Sequence, residues 1–208
     1  IKRNFVDGIR VTNKETIRIV SETLDKIVNK EIVDLIGKNG GNSLGISTDR
    51  KDIIIAEKFE SKKTDFGYVG NIVDVNTNYL FDLMNSNYIP VIAPLGYDGN
   101  GQIYNINADI AASKIASYLS AEKIIFLTDT PGVLDDNKTL LSTLNPKEIK
   151  KYIDSGIISG GMLPKISASL EAINNDVKTA HIIDGRIQHS VLLEIFTNEG
   201  IGTLVKNG

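Results

Sequence analysis

The feature that most constrains the fold is the regular alternation of short apolar strands with helices in the part of the chain after residue 120. Lys123–Thr128 is typical of a buried strand, and Pro146 stands where a helix tolerates proline, in its first turn. The same pattern predicts further strands at residues 177–184 and 201–205, and helices at 145–154, 162–173 and 189–196. Strands that alternate with helices pair mostly in parallel and are covered on both faces. We therefore expect an α/β fold, a three-layer αβα sandwich with a mostly parallel central sheet.

The first half of the chain is predicted to combine a long amphipathic helix with several strands. Thr12 and Glu15 have the spacing of a capping box, and apolar residues follow at helical intervals as far as Ile36. This pattern predicts one long helix, or two helices that join near Asn29. The other predicted segments are strands at residues 44–47, 52–57, 63–69, 72–75 and 89–95, helices at 76–85 and 107–120, and a hairpin turn at 98–101. No linker rich in proline or glycine interrupts them, so we expect one domain over residues 1–208.

Composition narrows the classes of function. The chain has 23 basic and 26 acidic residues, which gives a net charge of −3. Proteins that bind nucleic acid or anionic lipid commonly have an excess of basic residues, and this chain has none. The absence of cysteine excludes disulfides, thiol catalysis and cysteine-ligated metals, and two histidines are too few for a His-built zinc site. The apolar runs are far shorter than the roughly 18 residues of a membrane span, and no basic and apolar leader opens the chain. We expect a cytoplasmic protein that binds neither nucleic acid nor a membrane.

Two polar segments follow predicted strands, at the position where α/β sheets gather ligands. In Tyr104–Asp109, the functional interpretation has Asn105 donating to an anionic substrate while Asp109 orients a cationic group. The alternative is that Asp109 is a surface residue that the helix dipole favours. In Asp129–Leu134, a Pro-Gly pair turns the backbone, which suits either a loop along a nucleotide or an ordinary type II turn.

A third segment, Ser159–Lys165, is the most suggestive of the three. Its two adjacent glycines let the backbone approach a ligand closely. Lys165 follows near the start of a helix, where a lysine is unfavourable unless an anion is present. Neither G-x-x-x-x-G-K-[ST] nor G-x-G-x-x-G occurs, and no serine nucleophile elbow is present. P-loop, common dinucleotide-binding and serine-hydrolase functions are therefore disfavoured.

Taken in this order, the motifs resemble those of the amino-acid kinase family. The matching segments are Phe5–Thr12, Asn105–Asp109, Asp129–Leu134, Gly160–Lys165, His181–Arg186 and Gly200–Thr203, and they span nearly the whole chain. The family also begins with a catalytic lysine in a Lys-x-Gly-Gly segment and with a Gly-Gly-Gly loop, and neither occurs in this sequence, which opens at Ile1. The resemblance implies an amino-acid kinase fold without its N-terminal third, with a substrate lobe at 1–119 and a nucleotide lobe at 120–208. It leaves open whether this chain alone is active.

The resemblance implies ATP-dependent phosphorylation of the γ-carboxylate of N-acetyl-L-glutamate, the second step of arginine (ornithine) biosynthesis. Arg10 would hold the α-carboxylate of the substrate, and Asn105 would hydrogen-bond the same end. Lys165 would stabilise the transferring phosphoryl group, and Asp109 would orient Lys165. Magnesium would be held mainly by phosphate oxygens and water. The implied nucleotide-binding residues are Asp129, Thr130, Pro131, Gly132, Val133, Leu134, Ile157, Ile158 and Ser159.

The resemblance also implies a second site near the C-terminus, because L-arginine inhibits one branch of the family. His181, Glu194 and Gly200 fall at the matching places. The alternative is that His181 merely ends a strand and that Glu194 is a solvated helix residue. Full inhibition in that branch uses an N-terminal helix that assembles hexamers, so a homo-oligomer, dimer or hexamer, is expected of a longer form. Cyanobacterial and plastid members bind the PII signalling protein, which makes PII a candidate partner and the plastid stroma a second candidate location.

Two other functions fit the same residues. Members of the family also phosphorylate other small acids or carbamate, although Arg10 favours acetylglutamate because its guanidinium matches an α-carboxylate. From a different class, the chain would act only as a regulatory module that binds a nucleotide or arginine without turnover. Trapping an acyl phosphate with hydroxylamine separates turnover from binding alone.

Overall fold

The computed structural model describes residues 5–6, 9–46, 53–197 and 200–208. The chain divides into two compact units, residues 1–111 and residues 112–208. Some predicted features lie outside the described residues: the chain start, Asp7 and Gly8 in the motif that contains Arg10, and the strand ends at residues 47 and 52. Across the described ranges, every helix is too short or too polar to span a bilayer.

The first unit begins with a strand pair and a long helix. Strands β1 (Phe5–Val6) and β2 (Ile9–Arg10) pair in antiparallel fashion. Helix α1 (Lys14–Glu22), a π-helical segment (Thr23–Asn29) and helix α2 (Lys30–Lys38) then follow one another without interruption. The predicted helix is therefore present, and its hydrogen bonds change to the wider π type over the seven residues that end at Asn29.

The cap of this helix differs from the prediction. The side chain of Asn13, not that of Thr12, caps α1 and accepts a hydrogen bond from the Thr16 backbone N–H at 2.8 Å. Thr12 is fully buried, and its hydroxyl donates to the carbonyl of Arg10 at 3.0 Å. Its backbone N–H and carbonyl bond to residues 66 and 68. The predicted capping box is wrong, because long-range contacts already use Thr12.

A buried asparagine ties the π segment to two strands. Strands β3 (Ser43–Ile46) and β6 (Ile89–Ile92) pair in parallel. The Asn29 amide donates to the carbonyl of Val91 at 2.8 Å. A Cβ at Gly45 would collide with the amide oxygen of Asn29, so the close approach of the helix to β3 requires glycine there. The π segment thus packs against this strand pair through a polar contact.

A four-stranded sheet makes up much of the rest of the first unit. Its strands, in spatial order, are β5 (Gly70–Val75), β4 (Ile54–Lys58), β7 (Leu95–Tyr97) and β8 (Ile103–Asn105). The pair β4–β7 is parallel, whereas β5–β4 and β7–β8 are antiparallel. Helix α3 (Thr77–Asn85) is capped by Asn76, and the predicted hairpin turn at residues 98–101 joins β7 to β8.

Two predicted strands of this unit differ from the structure. The single strand predicted for residues 89–95 is wrong, because the chain leaves the ladder at Ala93 and Pro94 before β7 begins. Proline has no N–H to donate to a ladder. The strand predicted for residues 63–69 is also wrong, since that segment forms only isolated bridges at Gly67 and Val69. Gly67 has a φ of +70°, which interrupts the extended conformation.

The second unit contains a four-stranded sheet and its helices. The strands, in spatial order, are β10 (Thr143–Leu144), β12 (Thr203–Lys206), β11 (Thr179–Asp184) and β9 (Lys123–Thr128). The central pair is antiparallel and the two outer pairs are parallel. Helix α4 (Ala108–Tyr118) begins before the boundary between the units and precedes β9, and the helices that lie wholly in the second unit are α5 (Pro146–Asp154), α6 (Met162–Asn174) and α7 (Ser190–Phe196). The alternation of strands and helices confirms the predicted α/β class.

Candidate active site

A pocket in the first unit brings together the two residues that were predicted to hold the substrate. Arg10 and Asn105 both line a cavity of about 180 Å³. Ile9, Val69 and Ile110 give the same cavity apolar walls. A guanidinium and an amide beside aliphatic side chains suit a small carboxylate that also carries apolar groups.

Thr12 holds the two predicted substrate residues in place, and the sequence analysis gave it no role in the site. Its hydroxyl accepts a hydrogen bond from the Asn105 side-chain amide at 3.3 Å and donates to the Arg10 carbonyl. The Asn105 backbone N–H bonds to the carbonyl of Tyr68 at 2.8 Å, and the Tyr68 N–H bonds in turn to the Thr12 carbonyl at 2.7 Å. The segment that contains Arg10 is therefore connected to the strand that contains Asn105.

Asp109 lies in the first turn of α4. The Asn107 side chain accepts hydrogen bonds from the backbone N–H groups of Asp109 at 2.9 Å and of Ile110 at 3.1 Å and thereby caps the helix. These bonds hold the backbone of Asp109, a half-buried residue, in the first turn of α4. Its role as the group that orients Lys165 stays a prediction.

The segment predicted to lie along the nucleotide follows β9 in the second unit. Val133 is buried, and its N–H donates to the Thr203 hydroxyl at 2.8 Å. Gly132 has a φ of +147°, and a Cβ there would lie 2.6 Å from that hydroxyl, so the turn requires glycine. Leu134 makes an isolated antiparallel bridge to Leu140. Thr203 therefore fixes the shape of the predicted nucleotide segment from β12.

Two charged residues at the carboxyl end of β11 belong to a segment that resembles the family, and no role was predicted for either of them. The Arg186 guanidinium donates to both carboxylate oxygens of Asp184, at 2.9 and 2.7 Å. These hydrogen bonds, together with the Arg186 backbone N–H, hold the pKa of the Asp184 carboxyl down at about 2. Because β11 pairs with β9, this ion pair lies beside Thr128, immediately before Asp129.

Lys165 lies in the first turn of α6, as predicted. Gly161 is the N-cap of this helix, and none of the described side chains caps it. Ser159 and Gly160 accept backbone hydrogen bonds from Met162 and Leu163 and form the turn that leads into the helix. An uncapped helix start with a half-buried lysine favours a phosphate or carboxylate.

The residues before this turn differ in exposure. Ile158 is buried in the core of the second unit, Ile157 is half-buried, and Ser159 is exposed. The Ile158 N–H bonds to the carbonyl of Tyr152 in α5 at 3.0 Å. The contact of Ile157, Ile158 and Ser159 with the nucleotide stays a prediction.

Two of the predicted regulatory residues, His181 and Glu194, are hydrogen-bonded to each other, and the third, Gly200, lies against the Glu194 carboxylate. His181 Nδ1 lies 2.7 Å from Glu194 Oε1, and the other carboxylate oxygen accepts the N–H groups of Ile201 at 2.7 Å and Gly202 at 3.2 Å. The side chains of His181 and Glu194 are only 11% and 5% exposed. Burial alone would raise the pKa of Glu194, but the Ile201 N–H and His181 lower it below its ordinary value. The alternative of a solvated Glu194 is therefore wrong.

Comparison with known proteins identifies the family. The amino acid kinase family model matches residues 1–184. The acetylglutamate kinase of Campylobacter hominis is 50% identical over 206 residues, which cover 99% of this chain and 72% of that protein. The acetylglutamate kinase of Nitrosococcus oceani is 47% identical over 215 residues, which cover 98% of this chain and 71% of that protein. The crystal structure of smu.665 from Streptococcus mutans UA159 superposes with a TM-score of 0.86 at 28% identity, covering 100% of this chain and 78% of that one. The chain belongs to the amino acid kinase family.

Proposed function

We propose that this chain transfers the γ-phosphoryl group of ATP to the γ-carboxylate of N-acetyl-L-glutamate, a reaction of arginine biosynthesis. Relatives named acetylglutamate kinase, matched over nearly the whole chain, support this function. The structural observation that carries it is the pocket shared by Arg10 and Asn105. A guanidinium beside an amide donor suits an acylated amino acid better than carbamate, which has no α-carboxylate.

The substrate end of the reaction is assigned to the first unit. Arg10 binds the α-carboxylate with two parallel N–H groups, a geometry that lysine does not offer. The Asn105 amide, oriented by Thr12, donates a further hydrogen bond to the same end of the substrate. The aliphatic side chains of the cavity contact the acetyl and methylene groups. Together these contacts position the γ-carboxylate as the nucleophile.

The phosphate end of the reaction is assigned to the second unit. Residues 129–134 and 157–159 line the adenine and ribose, and the start of α6 meets the phosphates. A γ-carboxylate oxygen forms a bond to the γ-phosphorus while the bond to the bridging oxygen breaks, and ADP leaves. Lys165 stabilises the charge that develops on the transferring group.

Magnesium fits this arrangement as a metal held mainly by phosphate oxygens and water. No cluster of three or more His, Cys, Asp or Glu side chains that could hold a metal occurs in the described ranges. Mg²⁺ commonly keeps several waters and binds through substrate phosphates. When bound, Mg²⁺ would supply neutralisation of the phosphate charge, and the residues of the chain would position the two substrates.

Hydroxylamine trapping tests the proposed reaction. The chain is incubated with MgATP, N-acetyl-L-glutamate and hydroxylamine, and the hydroxamate and ADP are measured. We expect both products in equal amounts, and none with N-acetyl-L-glutamine, which lacks the γ-carboxylate. Binding of both substrates by calorimetry without hydroxamate would instead assign the chain to the regulatory-module function, and product from carbamate would assign another substrate.

We also propose that L-arginine binds at His181, Glu194 and Gly200. Two observations support a cation site: Glu194 is kept ionised by backbone N–H groups, and its carboxylate lies against Gly200, where a Cβ would stand 2.9 Å from Oε2. Because His181 already occupies Oε1 of Glu194, the guanidinium of arginine competes with the imidazole for that oxygen. Gly200 has a φ of +63°, a conformation that favours glycine, so the backbone can turn closely past the Glu194 carboxylate.

Calorimetric titration with L-arginine tests this second site. Glu194→Gln removes the charge but keeps an acceptor for Ile201, and we expect the arginine Kd to rise roughly tenfold or more. Glu171→Gln is the matched control, since Glu171 pairs with Lys114 at the surface. Equal Kd values for wild type and Glu194→Gln would place any arginine site elsewhere. A homo-oligomer, PII binding and a cytoplasmic location stay predictions.

A further inference from the structure

A second cleft in the first unit is larger than the substrate pocket, and the two share none of the described residues that line them. It has a volume of about 630 Å³, within the range of small-molecule sites. One wall is a single face of α1, with Lys14, Ile17, Arg18 and Ser21 at helical spacing. The other wall is formed by Tyr68 and by residues 101–103 at the start of β8. No step of the proposed reaction uses it.

The chemistry of the cleft is an apolar floor beneath a cationic rim. Ile17 is only 6% exposed, and Ile103 and the Tyr68 ring are half-buried beside it. Lys14 and Arg18 are exposed, lie one helical turn apart, and form no ion pair with any described residue. Among the described residues that line the cleft, Glu15 is the one acidic residue, and these residues together carry a net charge of +1.

We propose that this cleft binds a small organic anion, a carboxylate or sulfonate with a ring-sized apolar body. The apolar body fills the space over Ile17 and Tyr68, where it removes apolar surface from water. The anionic group meets Lys14 and Arg18 at the rim. Charge complementarity selects an anion over a neutral or cationic molecule of the same shape.

The cleft is also joined to the substrate pocket through shared backbone. Strand β8 runs from Ile103 in the cleft to Asn105 in the substrate pocket, and the Tyr68 N–H bonds to the carbonyl of Thr12. A ligand that shifts Tyr68 or β8 therefore alters the position of Asn105. By linkage, any such effect on acetylglutamate affinity is matched by an equal effect of acetylglutamate on the ligand.

Fluorescence titration with 8-anilinonaphthalene-1-sulfonate tests the site, because this probe combines an apolar ring system with one sulfonate. Saturating acetylglutamate and ADP are present, so that binding at the substrate sites is blocked. We expect saturable binding of one probe per chain. The double variant Lys14→Gln, Arg18→Gln should raise its Kd roughly tenfold. Lys30→Gln removes a positive charge at the start of α2, outside the cleft, and should leave the Kd within about twofold.

The neutral analogue N-phenyl-1-naphthylamine separates charge from shape. Its Kd should be the same for wild type and for the double variant, and insensitive to ionic strength, whereas added salt should weaken the sulfonate probe. If the double variant bound both probes more weakly by the same factor, the substitutions would have changed the shape of the cavity and not only its charge. This result would overturn the assignment of an anionic ligand. The proposed site itself would be overturned if the sulfonate probe showed no saturable binding. It would also be overturned if Lys30→Gln raised the Kd of that probe as much as the double variant does.

Discussion

Replacing Thr203 by valine should destabilise the protein through one lost hydrogen bond. The two side chains have nearly the same shape, and valine is favoured in strands such as β12. The change removes the hydroxyl that accepts the Val133 N–H at 2.8 Å, at a side chain that is fully buried. The Val133 N–H would then be buried without a partner, which costs about 1–3 kcal/mol.

This cost converts into a measurable shift in thermal unfolding. For a protein of this size, each kcal/mol lowers the Tm by about 2–4 °C, so a cost near 2 kcal/mol predicts a fall of about 4–8 °C. Circular dichroism gives the Tm, and calorimetric titration with ADP gives the Kd. The Kd should rise as well, because Val133 belongs to the proposed nucleotide segment.

Thr130→Val is the matched control, because the Thr130 hydroxyl is buried with no hydrogen-bond partner among the described residues. Exchanging an unpartnered hydroxyl for a methyl group should leave the Tm unchanged or raise it. An unchanged Tm in Thr203→Val, or an equal fall in both variants, would refute the assigned role of the hydrogen bond to Val133.

Three further predictions concern charged side chains. Lys165→Ala should lower kcat on the order of 10²-fold or more with little change in KM, and a kcat within about threefold would make Lys165 structural. Arg10→Lys should raise the Kd of acetylglutamate and leave that of ADP unchanged, whereas equal losses would indicate a general disturbance of the fold. The lowered pKa of Glu194 means that its ionised form stabilises the folded state above the ordinary value of 4.5, and that this stability is lost as the pH falls through the folded pKa. Urea midpoints should therefore differ between wild type and Glu194→Gln at pH 7 and converge at acid pH, and a constant difference would contradict this assignment.

Local signals in the sequence predicted those elements whose causes are local. Asn145 caps α5 and forms a capping box with Glu148, and β9 is an uninterrupted apolar run, so both were predicted with little error. Thr12 carries an equally good local signal, yet the cap passes to Asn13. The hydroxyl of Thr12 bonds to Arg10 and Asn105, and the latter contact lies far away in sequence.

One signal for the candidate site is local: polar residues that directly follow predicted strands. Asn105 was found in this way, whereas Arg10 was implied by the family resemblance, and the structure brings the two side chains to one pocket. Thr203 was given no role, because its hydrogen bond to Val133 spans 70 residues and leaves no pattern in either segment. The π segment was missed for a related reason, since its apolar spacing is also compatible with an α-helix.

The π segment makes the number of residues between Glu22 and Lys30 matter independently of their chemistry. A π turn holds about one residue more than an α turn, so this segment contains one residue that a continuous α-helix would not need. Deleting one residue of the segment would therefore let it close with α-type hydrogen bonds and leave α2 near its present angular position. Deleting a residue within α2 would instead rotate every later position by about 100°. The wide turn ends at Asn29, whose amide bonds to Val91 and occupies the space that Gly45 leaves, so the extra residue determines where this contact forms.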